Sequence, residues 1–251
     1  MRTLLFVLVL AAGARLVQAQ TAASPFLFTT MAPAAHAPVA TSVDLGYKER
    51  AFEPVAGERL EQQASVLAPI TSAVAFSAEL GVANTPDGST RLAEQGELLV
   101  TPLRRGALSV SGGVGARHEY GGTMVATARF AGAHTTGRSA LAAGVLLEHP
   151  YAAARDELDL ITSVGFSHAV TSSLWLGAEA VGRDLEGLWD SREAEGGSTV
   201  LVGPTLAFAP SAGSSWSLVV GGGPVLRTTS STAVRPRNTG YVIRTSVRVG
   251  W

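Results

Sequence analysis

The stretch Tyr241–Trp251, "YVIRTSVRVGW", sets Tyr241, Ile243, Thr245, Val247, Val249 and Trp251 against Val242, Arg244, Ser246, Arg248 and Gly250. A largely apolar row alternating with a row that carries two arginines is the period-two pattern of a β-strand with unlike faces. Chain ends ordinarily fray unless something ties them down. An end that finishes on tryptophan therefore predicts a last strand paired with another strand, its apolar row resting against something other than water.

The same period runs back through the chain. "AVAFSAELGV" sets Val74, Phe76, Ala78, Leu80 and Val82 against Ala75, Ser77, Glu79 and Gly81; "LDLITSVGFSH" does the same with Leu158, Leu160, Thr162, Val164 and Phe166. Related runs occur at "TSVDLGY", "LSVSGGVGAR", "TVLVGPTLAFAP" and "WSLVVGGGPVL". Together they predict about twelve strands (between ten and fourteen) of roughly 9–11 residues, long enough to cross a bilayer when tilted. The expected fold is all-β: a transmembrane antiparallel up-and-down β-barrel over residues 39–251.

Composition agrees. The 251 residues are 46% hydrophobic and only 16% charged, with no cysteine. Residues 1–19, "MRTLLFVLVLAAGARLVQA", read as a secretory signal peptide: Arg2, a short apolar core, and a small-residue cleavage pattern at Val17-Gln18-Ala19. Residues 20–38, "QTAASPFLFTTMAPAAHAP", read as a flexible periplasmic lead-in. Without Arg2 and Arg15, 17 basic residues face 20 acidic ones, a formal charge of −3, which is not the profile of a nucleic-acid binder.

Connections alternate in character. "LAPITS", "TPLRRG", "AGAHTTG", "AVTSS" and "APSAGSS" are short, and longer or more charged segments fall between them. Short turns belong on the periplasmic side of an outer-membrane barrel and longer loops outside, so an even strand number puts both chain ends in the periplasm. Under this topology Phe76, Phe130, Phe166, Phe208, Trp216 and Trp251 fall at the periplasmic strand ends, and Tyr47, Tyr120 and Tyr241 at the outer ends of the same face. They form the two aromatic girdles expected where headgroups meet hydrocarbon. Trp175 has the opposite parity and points inward.

"YVIRTSVRVGW" resembles the final strand of bacterial outer-membrane β-barrels, which ends on an aromatic residue. The resemblance implies that Tyr241, Ile243, Val247, Val249 and Trp251 serve recognition by the barrel assembly machinery and closure against the first strand, in a membrane of lipid and lipopolysaccharide. "SSLWLGAEAVGR" and "LVGPTLAFAPSAGSSWSLVVGGG" resemble hairpins of the roughly twelve-stranded transporter-like barrels linked to degradation of aromatic compounds.

The inward parity collects Asp44, Lys48, Glu61, Glu79, Glu97, Arg117, Arg129, Glu148, Asp159, Glu179, Arg183, Arg244 and Arg248. Seven acids face six bases. Two readings stay open: a polar pathway whose charges set selectivity for a small solute, or ion pairs that brace or fill a narrow barrel. Arg244 and Arg248 are expected to pair with Asp44 or Glu61. The five histidines, His36, His118, His134, His149 and His168, fit no metal-ligand spacing. "FSHAVTSS" places Ser167, His168 and Ser172 close in sequence, but strand neighbours face opposite sides. No catalytic residue, cofactor or metal is expected. The glycines of "VVGGGPVL" lead into no helix, so they suit crowding or sheet curvature rather than a phosphate. The acidic loop Arg183–Gly197 around Trp189 reads as a solvated loop, with a cation or partner site as the alternative.

Overall fold

The computed structural model describes residues 24–30, 39–49, 58–84, 88–152, 158–185, 198–211, 214–227 and 239–250. Twelve strands follow one another: β1 (Ala40–Glu49), β2 (Glu58–Pro69), β3 (Val74–Asn84), β4 (Thr90–Arg105), β5 (Leu108–His118), β6 (Met124–Thr136), β7 (Ser139–Pro150), β8 (Asp159–Ala169), β9 (Leu174–Arg183), β10 (Thr199–Phe208), β11 (Trp216–Arg227) and β12 (Thr239–Gly250). Each pairs antiparallel with the next, and β12 returns to β1, closing an up-and-down barrel. Closure runs from Ala40↔Gly250 to Glu49↔Tyr241, so the last strand is held along its length by the first. Every sheet edge is thereby removed.

The strands are longer than their alternation suggests, because two of the turns are tighter. β4 and β5 are joined by Gly106-Ala107 alone, and β6 and β7 by Gly137-Arg138. Gly106 and Gly137 have φ of 58° and 50°, the left-handed conformation that two-residue hairpins require. "TPLRRG" and "AGAHTTG" are therefore mostly strand. One consequence corrects the aromatic pattern: Phe130 lies at the centre of β6, opposite Val145 and Gly112, rather than at a strand end.

Parity decides which face is covered. On β3, Phe76 and Leu80 are exposed on the outside, while Ala75, Gly81 and Ala83 are buried inside. The outer row repeats around the barrel as Leu45, Val114, Phe130, Val164, Val202 and Ile243, with Val114 61% and Phe130 60% exposed. A surface this apolar all round exceeds what a water-facing protein tolerates. The tilted rings of Tyr47 and Tyr241 meet at 5.6 Å between centroids near the long-connection end, and those of Phe208 and Trp216 at 5.9 Å near the short-connection end.

Tyr120 departs from the girdle. β5 ends at His118, and a turn with Glu119 N–H to Thr123 O and Gly122 N–H to Glu119 O breaks the alternation. The Tyr120 ring folds inward and is 6% exposed. It covers Gly81, where a Cβ would lie 2.2 Å from its hydroxyl. Trp251 lies outside the described residues.

Candidate functional site

The lumen is where small residues, charges and an unexpected occupant meet. Inward positions on β6 and β7 are Ala131, Ala133, Ala140 and Ala142, all buried. Alanines leave space that something must fill. Ser24–Thr30, "SPFLFTT", fills it. Phe26, 1% exposed, packs with Ala133, Ala140 and Ala142, and Trp175 lies against this cluster. Phe28 packs on an inward apolar layer of Val181, Leu201, Val225 and Val242. The expected flexible lead-in is corrected here: seven of its residues are built into the barrel. Residues 20–23 and 31–38 lie outside the described residues.

A buried acid and a half-buried arginine hold the segment by its main chain. The Glu179 carboxylate accepts N–H bonds from Leu27, Phe28 and Thr29 at 2.8, 2.8 and 2.7 Å, and a fourth from the Thr205 hydroxyl at 2.8 Å. Three consecutive amides converging on one carboxylate form an anion nest. Arg248 donates to the carbonyls of Ser24 and Phe26 at 2.7 Å each. Arg129 donates to the Thr30 hydroxyl at 2.7 Å. Hydrogen bonds to a charged group contribute about 1.5–3 kcal/mol each, which offsets part of the cost of ordering the segment.

The remaining charges pair with one another. Near the long-connection end Arg117 bridges Glu119 at 2.7 Å and Glu148 at 2.9 Å; Arg183 bridges Glu148 at 3.2 Å and Asp159, with Asp184 at 3.6 Å. Glu148 is 0% exposed. Lower down, Arg129 pairs with Glu97 at 2.6 Å and Arg244 with Asp44 at 3.5 Å, while Arg244 also donates to Gln63. Arg244 therefore takes the acid expected of it, whereas Arg248 takes the lead-in carbonyls. Glu61 is buried and Glu79 half-buried; the Lys48 side chain lies outside the described residues.

Beside the occupant, a cavity of about 600 Å3 opens toward the short-connection end. Its wall includes Asp44, Glu79, Glu97, Arg129, Arg244 and Arg248, a run of serines from β1, β2, β3, β11 and β12, and the occupant's own Ser24, Leu27 and Thr30. The inward row thus builds a charged, hydroxyl-rich half-lumen next to a filled half.

Other candidates place less. His168 Nδ1 lies 2.9 Å from Ser139 Oγ across β7 and β8, at an exposed position on the outer face rather than next to Ser167, which is buried on the inner face. Among the described residues no His, Cys, Asp and Glu gather as a metal site. Of the acidic loop's carboxylates, Asp184 is described: its N–H and carboxylate bond the Leu160 backbone at the start of β8. Trp189, Glu186, Asp190, Glu193 and Glu195 lie outside the described residues.

The occupant was the main element missed by reading the sequence. A usable signal was present: Ile161, Val181, Leu201, Val225 and Val242 are apolar at inward parity, so part of the inner wall cannot face water. "PFLF" holds the only phenylalanine and leucine side chains between the leader and Val39.

No protein-family model matches this sequence, and no curated protein matches it. Its shape does match solved structures. A KdgM porin in complex with disordered oligogalacturonate superposes with a TM-score of 0.58 at 9% identity, over 84% of this chain and 99% of that one. A NanC porin superposes with a TM-score of 0.58 at 11% identity, over 84% of this chain and 100% of that one. A second KdgM porin structure gives 0.53 at 10% identity, over 84% and 99%. At such identities the likeness is one of fold, and it is the outer-membrane barrel fold that the final strand resembles.

Proposed function

We propose that the chain is an outer-membrane channel for small polar solutes, with its short connections and both chain ends in the periplasm and its long connections outside. The observation that carries this is the contrast between the two faces: a continuous apolar exterior around a lumen that holds a charged cavity of about 600 Å3. A strand of about twelve residues, tilted by roughly 40°, rises about 30 Å along the barrel axis, enough to cross the apolar layer. The neighbours of like shape are named as porins, which supports the same use of the lumen. On this reading the outward row of Tyr241, Ile243, Val247 and Val249, with Trp251, is what the assembly machinery recognises. Lipid and lipopolysaccharide cover the exterior.

The ion pairs of Arg117, Glu148, Arg183 and Asp159 near the long-connection end favour a second reading, a permanently closed barrel acting through its loops. Planar-bilayer recording separates the two. The refolded chain, and a variant lacking residues 24–30, are expected to give discrete ionic current steps, larger in the variant. Silence from both, in several salts and in membranes shown to contain the protein, would overturn the channel.

A further inference from the structure

We infer that the lumen carries a binding site for short peptides, built from Glu179, Arg248 and the apolar pockets around Phe26 and Phe28, and that Ser24–Thr30 is its resident occupant. The site depends on the channel reading only for the route by which a free peptide arrives.

The grip is on main-chain groups. Glu179 holds the amides of three consecutive residues, and Arg248 holds two carbonyls two residues apart. Any peptide offers such donors and acceptors at that spacing. Among the described residues neither Glu179 nor Arg248 forms an ion pair, unlike Glu97, Glu148, Asp159 and Arg183. Withdrawing a charged group from water is costly unless its hydrogen bonds are replaced, and the occupant's main chain supplies most of those made by Glu179 and Arg248.

The pockets specify what hangs from that backbone. A Cβ at Gly165 would sit 2.7 Å from the Phe26 ring, and one at Gly221 would sit 3.0 Å from Leu27. The wall is cut back to glycine and alanine where aromatic or aliphatic side chains enter. Such surfaces fit apolar peptide side chains and give a sugar ring nothing to bond. The polar cavity reaches the occupant's edge at Ser24, Leu27 and Thr30, beside Arg248, so a competing peptide meets it there.

The test uses a full-length chain in which residues 24–30 are replaced by seven alternating glycines and serines, in detergent and in vesicles, with the synthetic peptide Ser-Pro-Phe-Leu-Phe-Thr-Thr as probe. Calorimetry is expected to show saturable binding to this variant. The intact chain should bind about tenfold or more weakly, because its own segment competes at high effective concentration. Glu179→Gln in the same background should also weaken binding about tenfold, as charge-assisted bonds become neutral ones. No saturable binding to a folded variant overturns the site, and equal binding of a scrambled, aspartate-rich peptide or of a neutral disaccharide overturns its peptide class. Should the replacement fail to fold, Phe26→Cys with Gly165→Cys in the otherwise cysteine-free chain serves instead, joined by a short reducible dithiol linker. The linked form should refuse the probe and the reduced form accept it; acceptance by both overturns the proposal. Binding without ionic current from any form would sink the channel and leave the site standing, whereas current without binding would do the reverse.

Discussion

Replacing Arg183 by methionine is expected to lower the stability of the folded barrel by about 3–5 kcal/mol, the usual cost of stripping one partner from a buried ion network. Arg183 stands between Glu148 and Asp159, both buried, and Asp184 lies beside it. Without it, Glu148 and Asp159 each lose an ion pair made inside the barrel wall. Urea unfolding in lipid vesicles, followed by tryptophan fluorescence, measures the loss. The triple variant Glu148→Gln, Asp159→Asn, Arg183→Met should recover most of it, since the two buried carboxylates that Arg183 paired are then neutral as well. A single-variant loss of only about 1 kcal/mol would mean that the network is solvated like a surface pair.

The second large effect is on the opposite face. Leu80→Arg, at the centre of β3 and outward, is expected to cost about 2–4 kcal/mol in a bilayer, the cost of an arginine on the lipid face at mid-depth. Ser77→Arg on the same strand points into the cavity, where water and Glu97 on the paired strand can receive it, and should cost far less. The comparison isolates the outer medium, because strand and residue type are held constant. Equal costs for the two variants in vesicles would mean that the outer row does not face lipid.

Residues differ in how much of this was legible from sequence. The outer and inner rows of β3, β8 and β12 follow from period two alone, because a strand has only two faces and every residue must choose one. The strand number followed from counting those runs, and closure from the apolar character of Tyr241–Gly250. Tyr120 and Phe130 were misplaced because parity carries no information on where a ladder stops: one lies past the end of β5, and the other well short of the end of β6. Face alone also cannot supply a partner. Glu179 and Arg248 were assigned inward with the other charges, yet their ligands are backbone groups some 150 to 220 residues away, which no side-chain pattern records. Ser24–Thr30 is too short to show a period, so only its apolar content set it apart.

The seam between β1 and β12 bears on how such a molecule comes into being. Its paired residues are 192 to 210 positions apart, so the final zip spans nearly the whole barrel. Contacts of that range are the slowest to form. Until they do, two long ribbons of unsatisfied amides and carbonyls remain, which hydrocarbon excludes. A nascent fragment cut just short of Thr239 would consequently be worth far less than its share of the residues, because insertion rewards the complete ring and nothing before it.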